Sequence, residues 1–164
     1  MIRLVLAVVA LAFPASAAIE IQDVRSPGGI SAWLVEAPGI PFVALELRFR
    51  GAATLDPVGC ATESKKHLLA GLLEEGTGDL DAAGFAAARD LLAAGFSFRA
   101  SQEVVSVSAR FLTENRAESV ALLRRALVEP AFDPDAVERV RAQILAELAQ
   151  DASDPDAIAD QLFA

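Results

Sequence analysis

The sequence predicts an α+β domain in which helices pack on one face of an antiparallel sheet. Three observations carry this. Three period-two segments are followed by two helical ones, then by two more period-two segments and a last group of helices, so the elements are segregated rather than strictly alternating. The breaks between neighbouring strands are short, as antiparallel connections allow. The third and seventh of these elements are apolar on one side only, the signature of a sheet with one buried and one wet face.

The first strand is expected over residues 19–24, where Ile19, Ile21 and Val24 are interleaved with Glu20, Gln22 and Asp23. Ser26-Pro27-Gly28-Gly29 is a turn. A second strand over 30–36 runs to the break at Pro38, Gly39 and Pro41. The third, 42–50, alternates most cleanly, with Val43, Leu45, Leu47 and Phe49 on one side and Ala44, Glu46, Arg48 and Arg50 on the other. Three consecutive strands with short turns favour an antiparallel meander. Residues 51–59 form a connection with a turn at Asp56-Pro57. A helix is expected over 62–75, with Leu68, Leu69, Leu72 and Leu73 on its apolar face and Gly76-Thr77-Gly78 as its terminator. Asp81 is positioned to cap a second helix that runs through Leu91, Leu92 and Ala94 and is closed by Gly95. Strands over 96–101 and 104–112 follow, with Gln102-Glu103 as the turn between them. Val105, Val107, Ala109 and Phe111 should join the apolar side of the third strand to form the dry face. Helices over 116–128 and 134–150 come next, the latter opened by Asp133-Pro134, a capping carboxylate before a proline at the first helical position. Asp154-Pro155 repeats that signature and opens a last helix, which reaches Ala164 still apolar at Ile158, Leu162 and Phe163.

Composition narrows the function classes. The chain has 164 residues, 54% hydrophobic and 6% aromatic, with 14 Lys and Arg against 23 Asp and Glu and a net charge of −9. That acidity argues against a general nucleic-acid surface, which needs clustered cations. The single cysteine, Cys60, excludes an intramolecular disulfide and any multi-cysteine metal site. In an oxidising compartment Cys60 should be partly buried or should pair between chains.

Residues 1–17 have the form of a secretory signal: Arg3, an uncharged apolar run over 4–13, Pro14, and the small residues Ala15-Ser16-Ala17. The run is shorter than the ~20 residues a transmembrane helix requires. Cleavage after Ala17 would leave 147 residues and, with Arg3 gone, a net charge of −10. The expectation is an exported, periplasmic protein with no stable membrane insertion after cleavage.

Few residues carry recognisable chemistry. His67 is the only histidine, which removes every multi-histidine metal site. There is no Gly-x-Ser-x-Gly and no Gly-x-x-x-x-Gly-Lys-Ser/Thr run. Glu74 and Glu75, and the basic pairs Lys65-Lys66 and Arg124-Arg125, read as solvated helix faces.

The order of several segments resembles the pitrilysin/insulinase metallopeptidases, which include the mitochondrial processing peptidase. These are the strand at 42–50 running into Gly51-Ala52, then Asp56-Pro57, Gly59 and the helix ending Leu73-Glu74-Glu75-Gly76-Thr77, followed by the segments at 95–101, 111–115, 127–132, 144–147 and 154–156. The resemblance implies an α+β half-domain of processing-peptidase type over residues 18–164. Relatives usually continue further, so this domain is expected to be incomplete at its C-terminal end and followed by a second of like fold.

In active members, His-x-x-Glu-His on the first long helix binds zinc through both histidines, and the glutamate activates the metal-bound water. A later glutamate completes the site. Aligned on Gly76-Thr77, the window here reads His67-Leu68-Leu69-Ala70-Gly71. His67 stands at the first ligand position and Glu147 at the later one, both as vestigial metal candidates. Ala70 replaces the base, and Gly71 replaces the second histidine. The entry to this helix, Cys60 to His67, is also more polar and longer than the family's. The resemblance therefore implies no catalytic residue, no resident zinc, and a heterodimeric role. An inert subunit would help an active insulinase-family partner bind and enclose an extended peptide. A non-enzymatic periplasmic peptide-binding or assembly module is the alternative, and a zinc peptidase with an atypical site built on His67 and Glu147 is a third.

Overall fold

The computed structural model describes residues 20–50, 62–101 and 103–155. The signal sequence at 1–17, Cys60, the connection at 51–59 and the last helix beyond residue 155 lie outside them. The chain divides into two compact units, Met1–Ile40 and Pro41–Ala164.

The first unit is a hairpin of β1 (Ile21–Arg25) and β2 (Ser31–Val35), antiparallel with Ile21 opposite Val35 and Arg25 opposite Ser31. Its turn falls where Ser26-Pro27-Gly28-Gly29 predicts it. Ser26 closes the loop twice, its amide donating to the Ile30 carbonyl at 2.8 Å and its hydroxyl accepting from the Ile30 amide at 3.0 Å, while Gly29 takes the left-handed backbone (φ +86°).

The second unit holds β3 (Phe42–Arg50), α1 (Thr62–Leu72), the two-residue strands β4 (Gly76–Thr77) and β5 (Leu80–Asp81), α2 (Ala82–Leu91), β6 (Gly95–Ala100), β7 (Val104–Leu112), α3 (Arg116–Val128) and α4 (Pro134–Asp151). Its main sheet has the order β3-β7-β6, all antiparallel. The meander expected of the first three strands is thus not the pairing adopted: β3 takes β7 as its neighbour. Pro38, Gly39 and Pro41 interrupt the donor series ahead of β3. By contrast β7 matches β3 residue for residue from Phe42 opposite Leu112 to Arg50 opposite Val104.

The expected dry face is the buried one. Val43, Leu45 and Leu47 lie directly across from Phe111, Ala109 and Val107, and Phe96 and Phe98 extend the same side on β6. Phe49, at the end of the row, is the exception and stays 52% exposed. Helices close this face with Ala70 and Leu73 from the α1 region, Phe85 from α2, and Leu122, Leu123 and Ala126 from α3. Phe85, fully buried, packs its ring 6.3 Å from that of Phe96.

Two caps are as the sequence implies. The Asp81 carboxylate accepts from the Gly84 amide at 2.7 Å, and Asp133 accepts from Asp135 at 2.9 Å. The far end of α2 differs. Gly95 is already the first residue of β6, and the left-handed residue after the helix is Ala93 (φ +48°). Ala94 then enters the core, 8% exposed, so the chain reverses at Ala93, two residues ahead of the glycine.

Candidate functional site

The helix that would carry a metal motif is α1, which opens at Thr62 and ends at Leu72, three residues short of the sequence expectation. Residues 73–75 form a turn, with the Glu75 amide donating to the Leu72 carbonyl at 3.1 Å. Four positions matter. His67 is exposed. Ala70 is 5% exposed and belongs to the hydrophobic core. At Gly71, α1 meets α4 so closely that a Cβ there would lie 2.8 Å from Val140 Cγ1. Glu147, on the exposed side of α4, accepts a hydrogen bond from Gln143 at 3.1 Å.

This arrangement does not fit a catalytic zinc. The base position faces apolar side chains, where a carboxylate would be desolvated without a partner. The second ligand position has no room for an imidazole while Val140 stands where it does. Among the described residues no group of three or more His, Cys, Asp or Glu side chains could hold a metal ion. No reaction step is assigned through such an ion.

What the sequence reading took for solvated surface is partly a clamp around the end of α1. Glu75 is bound by Arg139, so its carboxylate ties the turn after α1 to α4. Gly76-Thr77-Gly78 is more than a terminator. Gly76 (φ +130°) starts a tight hairpin in which a Cβ would strike the Leu80 carbonyl oxygen at 2.5 Å. Thr77 is fully buried and donates its hydroxyl to the Glu129 carbonyl at 2.9 Å, the same oxygen that accepts from the Gly78 amide at 2.8 Å. Arg125 reaches back from α3 to bind Asp79 and the Thr77 carbonyl. That contact holds the Asp79 carboxyl below the usual aspartate range, chiefly through the Arg125 hydrogen bond. The sequence marks Thr77 only as part of a terminator and Arg125 only as solvated, because each has its partner about 50 residues away in the chain: Thr77 just past the end of α3, Arg125 in the β4–β5 hairpin.

On the opposite face of the sheet, Glu46 accepts from the Ser108 hydroxyl at 2.5 Å and pairs with Arg48 at 3.4 Å. The Ser108 bond is the main reason its carboxyl titrates below the ordinary glutamate range, with the positive charges of Arg48 and Arg99 assisting.

The fold and the α1 positions of this chain are similar to those of pitrilysin/insulinase (M16) domains without peptidase activity. Its known relatives agree. The chain is 34% identical over 120 residues to the non-peptidase homolog YmxG of Helicobacter pylori, a match covering 73% of this chain and 27% of that protein. Its fold matches the peptidase M16 inactive domain from Pseudomonas fluorescens with a TM-score of 0.77 and 25% identity, over 87% of this chain and 34% of the other. It also matches a protease from Helicobacter pylori with a TM-score of 0.68, over 86% and 34% of the two chains; at 14% identity this is a likeness of fold alone. The chain thus spans between a quarter and about a third of the length of these relatives. No family model matches it.

Proposed function

We propose that the protein is an exported, catalytically inert insulinase-family subunit that helps an active zinc peptidase partner bind and enclose extended peptides. One observation carries the reading: the positions of base and second ligand, Ala70 and Gly71, are occupied by packing against the core and against Val140. One feature of the fold supports a peptide-handling role. β3 and β6 are the outer strands of a three-stranded antiparallel sheet, and an outer strand can add an extended peptide through backbone hydrogen bonds. The similarity to a non-peptidase homolog and to an inactive M16 domain supports the inert half of the reading. Export rests on the signal-like segment at 1–17 alone.

The test has two arms. The purified protein should carry no stoichiometric zinc and show no chelator-sensitive peptide cleavage, and affinity capture from the native periplasm should recover a relative bearing an intact His-x-x-Glu-His. Zinc-dependent cleavage by the chain alone, or capture with no such relative, sinks the proposal. Restoring the motif with Ala70→Glu and Gly71→His should unfold the domain rather than create an enzyme, read as loss of the cooperative thermal transition.

A further inference from the structure

The exposed face of the main sheet carries a charge opposite to that of the whole chain. Side chains at even positions of β3 and β7 and odd positions of β6 point away from the helices. They place Arg48, Arg50, Arg99 and Arg110 on one surface with a single carboxylate, Glu46, in a chain of net charge −9. All four arginines are exposed. Glu46 is already engaged by Ser108 and Arg48. Arg99 acts on Glu46 through its charge but forms no ion pair with it; among the described residues Arg50 and Arg110 have no carboxylate partner, and Arg110 lies instead over the Phe42 ring at 5.3 Å.

The spacing of these cations follows from the register. Arg48 and Arg50 are two residues apart on one strand, so their stems are about 7 Å apart, the repeat of alternate side chains in an extended peptide. Arg99 faces Arg48 across Ser106, two strand spacings or about 10 Å away. Beside the arginines the surface is low: a shallow open groove passes over Ala44, Gly95, Ser97 and Ser108, with Arg110 and the already engaged Glu46 also in its lining. Small side chains let a bound backbone come close, while the guanidinium groups reach over it to pair with carboxylates in two-pronged fashion.

We infer that this open face of the β3-β7-β6 sheet binds an acidic, extended peptide segment. A short acidic peptide fits better than a nucleic acid or an anionic membrane, because the patch is small and the acidic remainder of the molecule would repel a polyanion larger than the patch. The inference is independent of the subunit role above, since it concerns the face turned away from α1.

The test uses the full chain and a fluorescein-labelled peptide of alternating Glu and Ser, with a Lys/Ser peptide and an oligothymidylate of equal length as comparisons, read by fluorescence anisotropy. The acidic peptide should bind, and its affinity should fall at least about tenfold between ~50 and ~300 mM salt. Arg50→Glu combined with Arg99→Glu should weaken it at least about tenfold more, while Arg124→Glu, an exposed arginine of the helical layer, should leave it unchanged. Each variant's thermal transition confirms folding. No binding at about 1 mM peptide in low salt, binding indifferent to the double charge reversal, or tighter Arg50- and Arg99-dependent binding of the oligothymidylate overturns the inference.

Discussion

Replacing Gly71 by alanine should destabilise the domain, although alanine is the better helix former. In an unconstrained helix the change is worth about 1 kcal/mol in alanine's favour. Here the added methyl would stand 2.8 Å from Val140 Cγ1, roughly 1 Å inside ordinary carbon–carbon contact. Val140 cannot swing away cheaply. It is β-branched within a helix, where one rotamer dominates, and it is 7% exposed. The clash is then relieved by separating α1 from α4, an overpacking cost of about 1–3 kcal/mol. The balance is a net loss near 1 kcal/mol, or a fall of about 2–5 °C in Tm. Shortening the opposing side chain reverses the sign: in a Val140→Ala background, Gly71→Ala should stabilise by about 0.5–1 kcal/mol. Urea unfolding followed by circular dichroism on the two single variants and the double variant measures the coupling. If Gly71→Ala stabilises the wild-type chain by its full helical gain and the two changes add, α1 and α4 do not meet at this point and the packing account of the lost ligand position fails.

Other consequences are local. Thr77→Val removes a buried hydroxyl but keeps its shape; because the Glu129 carbonyl retains the Gly78 amide, the loss should be about 1 kcal/mol by urea unfolding, and no change would mean the hydroxyl bond adds nothing. Ala93→Gly should raise stability by about 0.5–1 kcal/mol, since the left-handed conformation costs alanine more than glycine; a decrease in Tm would refute this. For Asp79 the folded pKa lies below the unfolded one, so the stability it adds is present above the unfolded value and is lost as pH falls through the folded one. Asp79→Asn should therefore flatten the decline of Tm below about pH 4, and parallel curves for the two proteins would rule out the Arg125 contact as its source.

Much of this fold is legible where cause and effect are near in sequence. The alternation of Val43, Leu45, Leu47 and Phe49 marks a strand, and its dry side, by itself. Asp81 and Asp133 announce their helices because a cap acts within three residues. Pairing is another matter. β2 is the nearest candidate for β3 in sequence, yet β2 pairs only with β1 and β3 takes the distant, fully matched β7. Gly71 looks like a lost ligand in sequence, yet its present role is a contact with Val140 on another helix. Thr77 reads as part of a terminator and Arg125 as solvated for the same reason: each answers a group brought near by the finished fold. Ala93 was missed because a nearby glycine suggested an easier place to turn.

The position of β7 also has a consequence for the order in which the chain can fold. β6 and β7 are joined across residues 101–103 and can zip together as a local hairpin, whereas β3 meets β7 across a long loop, Glu46 and Ser108 being 62 residues apart. Closing that loop costs entropy before any contact rewards it, and such pairings slow folding. The β6–β7 hairpin with α3 packed on it is then the natural nucleus, and β3 arrives late. Mutations at Val107 or Phe111 should slow refolding, while a truncation such as Leu47→Ala should act mainly by hastening unfolding.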